Sequence, residues 1–192
     1  DMNLAQLKDA MASHITDMLV TLKNIGVEPE WVQIGNETKT GMMYPLGSVD
    51  AHFAELVDHG YGAVKAIFPN AKVIVHVNSG DKLELFTYIF SYLKKNNARY
   101  DMIGMSLYPD PSNWENSVNS CLENVKTLHD TYGKPLVIAE IGMDYREADK
   151  ADLMMRAMVK GCKETGFVDG IFWWEPEAPA QEGYKKGCFD NG

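Results

Sequence analysis

The stretch Leu136-Val137-Ile138-Ala139-Glu140 is apolar at every residue until it ends in a carboxylate. A strand with one wet face alternates apolar and polar side chains. A strand apolar throughout is buried on both faces, as in a parallel sheet covered by helices. On either side of this stretch the apolar spacing changes to three and four, which predicts helices over 114–132 and 148–165.

Outward from this stretch the pattern repeats. Met102-Ile103-Gly104-Met105-Ser106-Leu107 and Val73-Ile74-Val75-His76-Val77 are strands of the same kind, and helices are predicted over 81–96 and 51–68. Trp31-Val32-Gln33-Ile34 follows the Glu28-Pro29 break and runs into Gly35-Asn36-Glu37. Before it, Leu4, Leu7, Met11, Ile15, Met18, Leu19, Leu22 and Ile25 recur at helical spacing until Gly26. At the far end, Gly170-Ile171-Phe172-Trp173-Trp174 predicts a fifth strand. Strands starting roughly 30 to 40 residues apart, with a helix between each pair, are βα units of an α/β fold. No Pro/Gly/Ser-rich linker interrupts 1–192, so the chain reads as a single domain. Doubly wound and barrel folds share this string of units, and the strand ends must decide between them.

Composition limits the function classes. At 192 residues, 45% hydrophobic and 23% charged, the chain has enough apolar mass for a sizeable core. A net charge of -9 opposes nucleic acid and anionic lipid, which need clustered Lys and Arg; only Lys94-Lys95 and Lys185-Lys186 pair up. No apolar run approaches the roughly 20 residues of a membrane span. Asp1-Met2-Asn3 does not open a secretory signal. Cys121, Cys162 and Cys188 lack CxxC spacing, which favours buried or unpaired thiols over a zinc site and leaves one disulfide open.

The strand ends lack the glycine-rich loop of dinucleotide-binding domains, the phosphate loop and the serine nucleophile elbow. What ends them instead is Glu37, Tyr108, Glu140 and the pair Trp174-Glu175, with His76 late in the second strand. In a (β/α)8 barrel all C-terminal strand ends converge on one face, where Glu37 and Glu140 would share a cleft. Either carboxylate alone is an ordinary solvated or ion-paired Glu, and His76 alone is an ordinary structural histidine. Two facing carboxylates are glycosidase chemistry: one protonated to release the leaving oxygen, one ionised to attack the anomeric carbon. Neighbouring aromatics supply flat faces for sugar rings. Because Trp173 and Trp174 are adjacent in a strand, at most one of them binds ligand.

These residues resemble glycoside hydrolase family 53, the endo-β-1,4-galactanases. The likeness rests on Trp31-Val32-Gln33-Ile34-Gly35-Asn36-Glu37 with Gly41-Met42-Met43-Tyr44-Pro45-Leu46-Gly47, on Val137-Ile138-Ala139-Glu140, and on Gly170-Ile171-Phe172-Trp173-Trp174-Glu175-Pro176. It implies a (β/α)8 TIM barrel of which this chain holds about strands 4 to 8, beginning at the helix after strand 3. It further implies retaining hydrolysis of β-1,4-galactan, with Glu37 as acid/base and Glu140 as nucleophile. Asn36 would bond the sugar 2-hydroxyl, Tyr108 would hold the nucleophile, and Trp174 would floor the cleaved sugar's subsite. His76 and Glu175 would contact substrate. Departures are Tyr44, where the family more often has Trp, and Pro109-Asp110-Pro111-Ser112-Asn113-Trp114, where it has a more aromatic loop.

No cofactor is required for such chemistry. Some bacterial relatives carry calcium in late loops, and here Asp144, Asp149, Asp190 and Asn191 are candidate oxygens for it, although loop acids are usually just solvated. The partner is the polysaccharide, with no nucleic acid and no membrane. The complete protein is expected to be a monomer, secreted or otherwise extracytoplasmic because polymers stay outside the cell. The rival expectations are a barrel hydrolase for mannan, xylan or β-glucan, and a non-catalytic carbohydrate-binding fragment.

Overall fold

The structure, a computed structural model, describes residues 2–178 and 185–188. The chain packs as two compact units: Asp1–His76 with Tyr88–Met102, and Val77–Thr87 with Ile103–Gly192.

The first unit begins with α1 (Leu4–Asn24). Its start is set by a capping box: the Asn3 side chain accepts from Gln6 N at 3.0 Å, and Gln6 Oε1 accepts from Asn3 N at 2.9 Å. β1 (Trp31–Ile34) follows, then α2 (Phe53–Ile67) and β2 (Lys72–Val77). β1 and β2 pair in parallel from Trp31 opposite Lys72 to Ile34 opposite Val75. Leu19 of α1, Ile34 of β1, Val64 of α2, Phe68, Ala71 and Val73 form one buried cluster against which Met42 and Tyr61 pack. The helices thus bury their apolar stripes on the strands. α3 (Leu83–Lys95) links the units. In the first unit, Arg99 bonds Asp58 through Nε at 2.6 Å and Nη2 at 2.9 Å.

The second unit holds β3 (Met102–Leu107), α4 (Trp114–Tyr132), β4 (Leu136–Ile141), the 3-10 turn Tyr145–Glu147, α5 (Ala148–Thr165) and β5 (Val168–Trp173). β3 pairs in parallel with β4, and β4 with β5. Every residue of β3 is buried, as its unbroken apolar sequence requires. Val118, Cys121, Val125 and Leu128 of α4 and Met154, Met158 and Cys162 of α5 are buried as well.

Two expectations need correction. β5 runs from Val168 to Trp173 rather than 170–174. Leu136 N donates to Phe167 O at 2.8 Å and Leu136 pairs with Val168, so β4 engages this strand ahead of Gly170. Trp174 therefore follows the strand instead of ending it. β1 and β5 are also less buried than β2, β3 and β4, with Gln33 exposed in β1 and Asp169 and Phe172 exposed in β5. Cys121, Cys162 and Cys188 are all free thiols, the first two buried. No helix among the described residues is long and apolar enough to cross a membrane.

Candidate active site

In the first unit the site is built on the loop that leaves β1. Gly35 takes φ +72°, and a Cβ there would lie 2.7 Å from Thr38 Cγ2, so glycine is required on two counts. Glu37 itself has φ +47°, the left-handed region that a side chain with Cβ disfavours by about 1 kcal/mol. Thr38 holds the loop in this form. Its backbone N and its Oγ1 both donate to His76 O on β2, each at 2.9 Å, and the side chain is buried. A non-glycine residue kept at positive φ by its surroundings is a recurrent mark of functional sites.

His76 is fully buried, and its Nδ1 lies 3.2 Å from Asn36 Oδ1 and 3.4 Å from Glu37 N. Burial pushes its pKa down to about 4 against the opposing pull of Glu37, so the ring is neutral at neutral pH. One Nδ1 cannot both donate to the first contact and accept from the second. The tautomer of the ring decides which of the two it makes, and Asn36 Oδ1 also accepts from Gln33 Nε2 at 3.2 Å. Asn36, Glu37 and His76 thus form one group at the ends of β1 and β2. Beyond it the 41–47 block is pinched shut. Met42 N donates to Gly47 O at 2.9 Å, and a Cβ on Gly41, at φ +101°, would meet that oxygen at 2.1 Å.

In the second unit Glu140 is 6% exposed near the end of β4. A register shift aims it. Met105 pairs with Ile138 but Ser106 with Glu140, so Ala139 has no partner in β3. A bulge of this kind re-aims the side chain that follows it. Tyr108, just past β3, donates its phenol to Glu140 Oε2 at 2.8 Å. The Lys186 ammonium stands 3.7 Å from the centre of the Tyr108 ring. Trp173 packs on the helix side, lining a cavity with Ala148, Ala151 and Met155 of α5, and its Nε1 donates to Lys186 O at 2.9 Å. That leaves Trp174, 39% exposed, as the ring presented to solvent; its N donates to Ile141 O at 2.9 Å. Glu175 is exposed with φ +43°.

The described residues of the calcium set do not fit a cation. Both oxygens of Asp144 bond Arg146, whose guanidinium holds that carboxyl down at about 2. Asp149 is exposed in the first turn of α5, and Asp190 and Asn191 lie outside the described residues. Sequence reasoning missed Thr38 and Lys186. The first reads as an ordinary loop hydroxyl and the second as half of a surface lysine pair, so neither carries a local signal.

The model of Glycosyl hydrolase family 53 matches residues 1–167. Arabinogalactan endo-beta-1,4-galactanase A of Emericella nidulans is 24% identical over 93% of this chain and 58% of its own length. Endo-beta-1,4-galactanase of Bacillus subtilis is 30% identical over 79% of this chain and 39% of its own. The chain thus spans less than two thirds of the curated relatives it matches. Among solved structures, a fungal beta-1,4-galactanase superposes with a TM-score of 0.82 at 19% identity, covering 92% of this chain and 60% of that one. The family 53 catalytic domain of Ignisphaera aggregans gives 0.82 at 23% identity, over 92% and 56%. The fold is that of part of a (β/α)8 barrel, as the family resemblance implied.

Proposed function

Since the chain belongs to glycosyl hydrolase family 53, we propose that it forms the part of an endo-β-1,4-galactanase that carries both reacting carboxylates. The observation that carries this reading is the bond from Tyr108 Oη to the buried carboxylate of Glu140 at 2.8 Å. A nucleophilic carboxylate must be ionised and fixed in direction, and a donated phenol O–H serves both needs.

In the proposed reaction Glu140 attacks the anomeric carbon of a β-1,4-linked galactosyl unit. Glu37 gives its proton to the departing oxygen as that bond breaks. Glu37, now a carboxylate, takes a proton from water, whose oxygen bonds to the anomeric carbon while Glu140 leaves with its electron pair. Two inversions give retention, which requires the carboxyls to stand about 5 to 5.5 Å apart in the complete enzyme. The neutral ring of His76, in the tautomer that bonds Asn36, holds that amide toward the sugar 2-hydroxyl. Trp174 offers its exposed ring as a stacking face, and Glu175 contributes a hydrogen-bonding carboxylate beside it.

The substrate is the galactan of pectic side chains, met outside the cytoplasm by a monomeric enzyme. The test uses the whole protein on pectic galactan, mannan, xylan and β-glucan, following the anomeric form of the first product by NMR. Galactan alone is cleaved, and the new reducing end is β. Glu37→Gln and Glu140→Gln each abolish turnover. An α product, or substantial activity in either variant, overturns the assignment. Binding of galacto-oligosaccharide by the unmodified protein without product identifies a carbohydrate-binding protein instead.

A further inference from the structure

The Lys186 side chain lies within the second unit, with its ammonium 3.7 Å above the Tyr108 ring. Its position is set by backbone rather than by a free loop. Lys186 O accepts from Trp173 Nε1 at 2.9 Å, Lys185 O accepts from Tyr145 N at 2.7 Å, and Cys188 N donates to Pro176 O at 2.8 Å. The 185–188 segment is thereby tied to the loops that follow β4 and β5. Tyr108 is confined from a second direction by Gly142, where an added Cβ would meet Tyr108 Cε1 at 3.0 Å and Lys186 Cβ at 3.6 Å. A larger residue at position 142 would displace the ring.

We propose that Lys186 is a positioning residue that acts on Glu140 through Tyr108. A cation on the face of a phenol is attracted by the ring's negative quadrupole and draws electron density from the oxygen. The O–H becomes a stronger donor, and its bond to Glu140 Oε2 gains most when that oxygen carries full negative charge. The inference rests on Glu140 being the nucleophile and specifies which half of the reaction benefits. When the glycosyl-enzyme breaks down, water oxygen bonds to the anomeric carbon and the bond from that carbon to Glu140 breaks. The electron pair returns to Glu140 and the water proton passes to Glu37. Charge reappears on the carboxylate in that step, so Lys186 stabilises its transition state. In the first step the same carboxylate loses charge, and Lys186 gives no assistance.

The test uses the whole protein and a dinitrophenyl β-1,4-galactobioside, whose good leaving group makes breakdown of the glycosyl-enzyme rate-limiting. Lys186→Met lowers kcat about tenfold, equivalent to about 1.4 kcal/mol. It lowers KM by a similar factor because the intermediate accumulates, and leaves kcat/KM within about threefold. Lys186→Arg keeps the cation over the ring and restores kcat. In a Tyr108→Phe background Lys186→Met has no added effect. Unchanged kcat in Lys186→Met overturns the inference, as does a joint fall of kcat and kcat/KM with KM unmoved, which marks a merely structural loss. Glu140→Gln separates the two levels. If that variant remains active, the assignment of the nucleophile fails. If it is inactive while Lys186→Met behaves like the parent, only the role of Lys186 fails.

Discussion

Tyr108 Oη donates to Glu140 Oε2 at 2.8 Å, joining the residue after β3 to a carboxylate near the end of β4 that is 6% exposed. Both residues are polar groups at the ends of strands that are mostly apolar, so their pairing satisfies a buried carboxylate with a half-buried phenol.

Removing the phenol hydroxyl isolates its consequence. A hydrogen bond to a charged group is worth about 1.5 to 3 kcal/mol. Tyr108→Phe is therefore expected to lower kcat on galactan by about 10- to 100-fold while the ring keeps its place. Steady-state kinetics check this, and unchanged kcat would remove Tyr108 from the proposed site.

Thr38 clamps the Glu37 loop to β2 through two bonds to His76 O, at 2.9 Å each. Thr38→Val keeps the shape and the backbone bond but deletes the hydroxyl, removing one of the two bonds to the His76 carbonyl at a cost of about 0.5 to 1.5 kcal/mol. Thr38→Ser restores the donor. Denaturant melts of the two variants should differ by most of that amount, and equal melts would show that the hydroxyl is dispensable.

His76 links stability to pH. Its pKa is depressed from the ordinary 6.5 to about 4 by burial, so the folded state resists protonation that the unfolded chain accepts. The contribution is fully present above pH 6.5 and is lost as pH falls toward 4, below which it changes no further. The whole window amounts to about 3 kcal/mol. Urea midpoints measured from pH 7 to 4 should fall for the parent and fall less steeply for His76→Gln. Parallel slopes would show that His76 is not the group responsible.

The three thiols should label in order of exposure. Burial pushes Cys121 far up and Cys162 up to about 11, and both are buried, whereas Cys188 is exposed. Because the thiolate is the reactive form, iodoacetamide on the native protein should modify Cys188 first, and the other two only after unfolding. Peptide mapping reads this directly. Early modification of Cys121 would contradict its burial on α4.

The α/β class was legible in the sequence because burial on both faces of a strand writes itself as an unbroken apolar run. Leu136–Ile141 and Met102–Leu107 need no partner to be recognised. The polar residues that end such runs or stand late in them, Glu37, His76, Tyr108 and Glu140, were legible for the same reason, since each interrupts a local pattern. Their connections were not. The bulge that skips Ala139 depends on how β4 pairs with β3, and the start of β5 depends on Leu136 reaching Phe167. Thr38 clamps a carbonyl on another strand, and Lys186 lies far along the chain from Tyr108. Periodicity records which face of an element is buried, a property of neighbours in sequence. Register, ring contacts and the bonds between strand ends are set by packing between distant segments, so only the tertiary structure decided them.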